Sequence, residues 1–352
     1  MYALYFPNHS PAIPHHQPSR SSHSPHPPTH RITATTPPST PTAPVPSPPK
    51  TTRKKTSTCP KGFRLVWNDE FTTVASLKKW KYQVGDGSAY GIPGWGNKEL
   101  EVYTNSTDNA NVALGKLVIT ARTTTGAQAK RWCGSGSGAG ASPCYTSARL
   151  RTWGKFSISP SFKKGNQIIR IAARLRFPAG AQGLWPAFWL LPEASPANCS
   201  GCGKYGPWSS SGAITVVQSW NAMSNATGGI AFGGPAPNVT AFSNYASSLT
   251  TPDTFHEYVF EWSRKAMRWT IDGVVVHSAK SARNGTVPNG WYTTGTPGYA
   301  TPGPDSPFDQ NFYLLLNMAV GGEGVGATPQ EVKATLAKPK SFQVDYVRVC
   351  RR

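Results

Sequence analysis

From Phe63 onward, short runs alternate apolar and polar positions, with clusters of Gly, Pro, Asn and Ser between them. Residues 116–122, 167–173, 257–262, 267–271, 274–277 and 342–349 carry the two-residue period of strands with one buried face. Asp272-Gly273 sits between two of these runs, the signature of a two-residue hairpin turn. Helical periodicity is short, and its best stretch, 329–336, allows one or two turns. The pattern predicts an all-β sandwich of antiparallel sheets with loops over its faces.

The first 58 residues do not join this pattern. Residues 7–49 are dense in Pro, Ser, Thr and His, and Arg53-Lys-Lys55 follows them. Such a segment buries too little apolar surface to offset its ordering entropy. The expectation is a disordered basic tail over 1–58 and one domain over 59–352.

Charge and cysteines narrow the setting. The net charge is +20, of which the acid-free tail supplies +6 through Arg20, Arg31, Lys50, Arg53, Lys54 and Lys55, leaving +14 for the domain. That balance favours anionic partners such as an acidic polysaccharide, a wall polymer or a membrane surface. Nucleic acid is not expected, because the Lys and Arg residues are scattered and no nucleic-acid-binding motif occurs. The six cysteines pair most simply as Cys59–Cys350, Cys133–Cys144 and Cys199–Cys202. The close pairs lack the histidines of a zinc site, and Cys199-Ser-Gly-Cys202 lacks the βαβ setting of a redox motif. Sequons at Asn8, Asn105, Asn198, Asn225, Asn238 and Asn284 join the cysteines in pointing to an extracellular or cell-wall protein. Neither a signal peptide nor a transmembrane run is visible, and a monomer is expected.

Two features point to chemistry. Trp185 and Trp189 lie four residues apart, on one side of a strand, in Gly183-Leu-Trp-Pro-Ala-Phe-Trp-Leu-Leu-Pro192. Rings on an open sheet face stack on the apolar faces of sugars; the alternative is that both are core tryptophans, and of the two Trp185 is the one expected to face solvent, because a loop precedes it. The second feature is a gap: no carboxylate occurs between Glu193 and Asp253.

The ordered motifs Leu65-Val-Trp-Asn-Asp-Glu-Phe71, Gly94-Trp-Gly-Asn-Lys-Glu-Leu-Glu-Val-Tyr-Thr104, Tyr145-Thr-Ser-Ala-Arg149, Gly183 to Pro192, Phe255-His-Glu-Tyr-Val-Phe-Glu-Trp262, Pro307 to Gly322 and Val344-Asp-Tyr-Val-Arg-Val349 resemble glycoside hydrolase family 16, in its laminarinase-like endo-β-1,3-glucanase branch. The resemblance implies a β-jelly-roll of two packed antiparallel sheets, concanavalin A-like, with a sugar-binding cleft. Hydrolysing members retain configuration, which needs a carboxylate nucleophile and a carboxylic acid/base roughly 5 Å apart. They carry these on one strand as Glu-Ile-Asp-x-x-Glu, where a β-bulge returns the last residue to the cleft face.

The aligned positions here are Ala213 for the nucleophile, Thr215 for the helper and Gln218 for the acid/base. In the unbulged spacing the last position is Val217, so neither register supplies an acid. Alanine cannot form a glycosyl-enzyme and glutamine cannot give up a proton, so the resemblance implies an inactive site. Glu99, Glu101 and Glu193 are nearby carboxylates without the opposed pairing the reaction needs. The resemblance carries sugar contact onto Asn97, Arg149, Trp185, Trp189 and Trp95. Departures at Ala148 and at Gly322-Glu-Gly324, where a tryptophan is common, leave the β-1,3-glucan preference open. Glu70 and Asp345 match positions resembling the ligands of a structural calcium. The expected function is a secreted, non-hydrolytic binder of β-glucan or a related polysaccharide. The alternative is a glucanase or transglycosylase acting through other carboxylates.

Overall fold

A computed structural model describes residues 58–352 apart from 135–142, 161–166, 195–198, 200, 236–239, 249 and 284. The expected tail, except Thr58, and the sequons at Asn8, Asn198, Asn238 and Asn284 lie outside the described residues.

Two sheets form the domain. The ten-stranded sheet runs in the order Val274–Lys280, Ala266–Ile271, Phe255–Ser263, Ile168–Arg176, Lys340–Arg351, Lys116–Thr124, Cys144–Ser147 and Glu101–Tyr103, with Arg64–Asp69 and Ala110–Ala113 paired to its middle strands. The eight-stranded sheet runs Ala241–Ser247, Ala226–Phe232, Ala213–Gln218, Leu184–Pro192, Phe312–Val320, Arg149–Arg151 and Lys81–Tyr82, with Ser157–Ile158 beside Phe312–Val320. The predicted strands are all present, extended by one to three residues at several ends. Asp272 and Gly273 make the expected hairpin, with positive φ values of 48° and 83° that suit a primed turn. Pairing between these strands is antiparallel except between Glu101–Tyr103 and Cys144–Ser147, which run parallel.

The main core lies between the sheets, and alternation decides what enters it. Along Phe312–Val320, residues 312, 314, 316, 318 and 320 join the core, while Tyr313 and Leu315 belong to a second apolar cluster on the sheet's other face. Phe188 and Leu190 likewise face the core, and Ala187, Trp189 and Leu191 the opposite side. Both strands are buried at every position, so loops also cover the outer face of the eight-stranded sheet. That double burial explains why their sequences read as continuous apolar runs.

The three disulfides join Cys59 to Cys350, Cys133 to Cys144 and Cys199 to Cys202, as the spacing predicts. The helix Pro329–Thr335 is present and begins with a capping box between Thr328 and Glu331. A second helix, Gly126–Cys133, was not predicted. Its sequence does carry a start signal, Thr125 at the N-cap with Gln128 three residues on, but the threonine side chain makes no capping hydrogen bond and glycine follows it.

Candidate functional site

Of the two registers the resemblance allows, the Ala213–Gln218 strand takes the bulged one. Phe188 pairs with Val217 and Trp189 with Thr215, leaving Val216 as the extra residue. Val216 and Val217 therefore both enter the core, and Gln218 returns to the face of Ala213 and Thr215. The backbone thus has the register that would aim two carboxylates outward, while the side chains there are methyl, hydroxyl and amide.

The five predicted contact residues converge beside this strand. Arg149, on Arg149–Arg151, places its guanidinium 4.6 Å from the Trp95 ring centre and 4.9 Å from that of Trp189, and its Nε donates to Gln83 Oε1 at 2.8 Å. Trp189 Nε1 donates to Asn317 Oδ1 at 2.8 Å, and Trp185 Nε1 to Gln218 Oε1 at 3.2 Å. Asn97 Nδ2 donates to Glu99 Oε1 at 2.7 Å. Glu99, Arg149, Trp185, Trp189, Thr215, Gln218 and Asn317 line a cavity of about 10 Å³, room for roughly one water.

One expectation fails here. Trp185 is 3% exposed and does not face solvent. It packs with Ala319 and Val325, and Trp220 lies edge-on at 6.3 Å, because the chain after Gly322 folds back over it. The loop before Trp185 marks the end of a strand, not an open face.

Glu99 and Glu101 supply the acidity. Glu101 is 1% exposed, and its Oε2 accepts from Val320 N at 2.6 Å, while Oε1 has no donor among the described residues. Burial, together with the neighbouring Glu99 charge, holds the Glu101 carboxyl well above the usual range. Burial also raises Glu99, against the pull of Asn97, Arg149 and Tyr103. A proton on Glu101, donated toward Glu99, satisfies the otherwise unpartnered oxygen. Side chains at 99 and 101 lie next to one another rather than on opposite sides of a bond to be cut.

This arrangement has a pH consequence. A folded carboxyl raised above its ordinary 4.5 contributes stability that is complete below that value and is lost as pH rises through the folded value. Thermal melts from pH 4 to pH 8 should therefore show wild type losing stability relative to Glu101→Gln, and parallel curves would contradict the shared proton.

Sequence reasoning missed Tyr103 and Asn317, which complete the polar chain. Asn317 Nδ2 donates to Tyr103 OH at 2.9 Å, and Tyr103 OH donates to Glu99 Oε2 at 3.3 Å. Asn317 was visible as the single polar residue inside Phe312–Val320.

The expected calcium ligands do not fit that role. Arg348 grips Glu70 through Nε and Nη2, both at 2.8 Å, and Arg174 Nη1 donates to Asp345 Oδ2 at 3.0 Å. A hard cation needs several free oxygens, and no cluster of three or more His, Cys, Asp or Glu occurs among the described residues.

Comparison with known proteins places this geometry. The profile described as Glycosyl hydrolases family 16 matches residues 233–299. Glucan endo-1,3-beta-glucosidase A1 of Niallia circulans is 33% identical over 302 residues, 82% of this chain but 38% of that longer protein. Glucan endo-1,3-beta-glucosidase of Cryptopygus antarcticus is 31% identical over 81% of this chain and 90% of its own length. Beta-1,3-glucan-binding protein of Penaeus monodon is 30% identical over 52% of this chain and 50% of its own. The endo-beta-1,3-glucanase structure from Pyrococcus furiosus superposes with a TM-score of 0.60 at 30% identity, over 82% of this chain and 94% of that one. With a near full-length relative above 30% identity and a laminarinase-type jelly roll, this chain is a member of glycoside hydrolase family 16.

Proposed function

We propose that this protein binds a β-glucan or related polysaccharide outside the cell without hydrolysing it. The observation that carries this reading is the bulged strand whose outward positions are Ala213, Thr215 and Gln218. A retaining mechanism needs an attacking carboxylate and a proton donor on opposite sides of the bond, and this strand provides neither. Relatives include both glucanases and a glucan-binding protein, so the scaffold is compatible with either role.

Binding is supported by what the remaining groups lack. Gln83 Nε2 and Trp95 Nε1, beside Arg149, are buried donors with no partner among the described residues. Buried donors in a folded protein are ordinarily paired, so two unsatisfied donors mark the surroundings of Arg149 as a polar site. Three disulfides support an oxidising, extracellular setting. Calorimetric titration with a laminarin oligosaccharide should show binding that weakens by about tenfold in Arg149→Gln, since one charge-assisted contact and its ring packing are lost. Equal affinity in the variant would refute the site.

A second reading, residual glycosidase activity, draws on the raised Glu99 carboxyl lining the same cavity. It requires sugar release that disappears in Glu99→Gln.

A further inference from the structure

The outer face of the eight-stranded sheet continues from Arg149 to Arg151, two residues further along the same strand. Arg151 is 7% exposed, and its guanidinium lies 4.7 Å from the Trp153 ring centre, 5.5 Å from Tyr90 and 6.0 Å from Tyr313. Its Nε is a buried donor without a partner, and no described residue hydrogen-bonds or ion-pairs with the side chain. Arginine carries five donors in a fixed fork, and leaving a buried cation uncompensated is costly.

The neighbours deepen the deficit. Lys81 pairs directly across from Arg151 in the sheet, and its Nζ lies 4.7 Å from the same Trp153 ring. Like charges opposite one another on one sheet face repel. Glu193 is the acid that senses both cations, yet its Oε1 accepts from Gly154 N at 2.8 Å and its Oε2 has no partner among the described residues. It forms an ion pair with neither cation, so the two positive charges share no bound anion.

We infer that Arg151 and Lys81 form a subsite for an oxyanion, a carboxylate or sulfate ester carried by a sugar residue of an acidic polysaccharide. The inference rests on the glycan-binding reading and adds the charge of the ligand to it. The guanidinium fork matches two oxygens of a carboxylate or sulfate, and the ammonium adds a point charge. Trp153 and Tyr90 supply apolar surface for the ring that bears the anion.

The test is affinity electrophoresis through three forms of one β-1,3-glucan: neutral, partly sulfated, and partly oxidised to carboxylate. Wild type should bind at least one anionic form about tenfold more tightly than the neutral polymer, and which form it is identifies the oxyanion. Arg151→Gln should remove that preference while leaving neutral binding unchanged, and Lys81→Gln, at a half-buried position, should reduce it several-fold. Because Arg151 has no hydrogen bond to lose, a normal melting curve is expected for Arg151→Gln. Lys81→Gln carries the test if Arg151→Gln does not fold. An unchanged preference in both variants overturns the proposal. So does equal loss in Lys265→Gln/Lys280→Gln, with Lys265 in the turn before Ala266–Ile271 and Lys280 ending the edge strand of the other sheet, since that marks bulk charge. Neutral binding without anionic preference defeats this inference alone, whereas Arg151-dependent anionic binding without neutral binding defeats only the β-glucan preference.

Discussion

Truncating Trp189 to alanine is expected to lower the unfolding free energy by about 3–5 kcal/mol and to abolish glycan retention. The ring is 4% exposed, lies 4.9 Å from the Arg149 guanidinium, and anchors Asn317 through its Nε1. Removing it opens a void beneath the candidate site and leaves Asn317 Oδ1 without its indole donor. Alanine alone would confuse folding with binding, so Trp189→Phe is the informative companion. Phenylalanine keeps most of the ring packing and loses one buried hydrogen bond, about 1–2 kcal/mol. Urea unfolding should rank wild type above Trp189→Phe above Trp189→Ala. Pull-down on insoluble β-1,3-glucan should already be weakened in the folded Trp189→Phe protein. Undiminished retention in that variant would remove Trp189 from the binding surface.

The second large effect concerns the ends of the domain. Cys59 and Cys350 are separated by 291 residues, and Cys350 lies in the strand Lys340–Arg351, paired with Leu65 of Arg64–Asp69. A bridge closing so long a loop restricts the unfolded chain strongly, so Cys59→Ser/Cys350→Ser should cost roughly 4–5 kcal/mol. The Cys199–Cys202 bridge closes a separation of 3, and its removal should cost under about 2 kcal/mol by the same reasoning. Denaturant unfolding of the two double variants gives the order directly. An equal or reversed order would show that native contacts, not loop closure, set the contribution of these bridges.

How far the sequence disclosed this molecule depends on whether the deciding interaction was local. The period-two runs and the Asp272-Gly273 turn follow from spacing along the chain, whereas the bulge that returns Gln218 beside Thr215 was implied only by the family resemblance, with an unbulged register beside it. Paired cysteines followed from arithmetic, the carboxylate-free stretch between Glu193 and Asp253 from reading residues in order, and its vacant positions Ala213, Thr215 and Gln218 from the family resemblance. Burial of Trp185 did not, because it depends on Val325 arriving from 140 residues away. The Arg348–Glu70 grip was equally hidden, since its partners lie 278 residues apart, and it converts an expected cation ligand into half of an ion pair. The parallel register of Glu101–Tyr103 with Cys144–Ser147 had no local signal either. Arg151 was legible in part: two residues from Arg149 on a strand, it had to share that face. That it lacks a partner became visible only once Tyr90, Trp153 and Tyr313 were placed around it.

The proposed function joins two properties that are usually separated, glycan binding on a family 16 scaffold and an Ala213–Gln218 strand without the acids that cleavage needs. One incubation of the wild-type protein with insoluble β-1,3-glucan measures both, by assaying protein retained on the solid and reducing ends released into solution. The expected result is protein on the solid and no rise in reducing ends over buffer. Release of reducing ends that disappears in Glu99→Gln, or no retention at all, would contradict it.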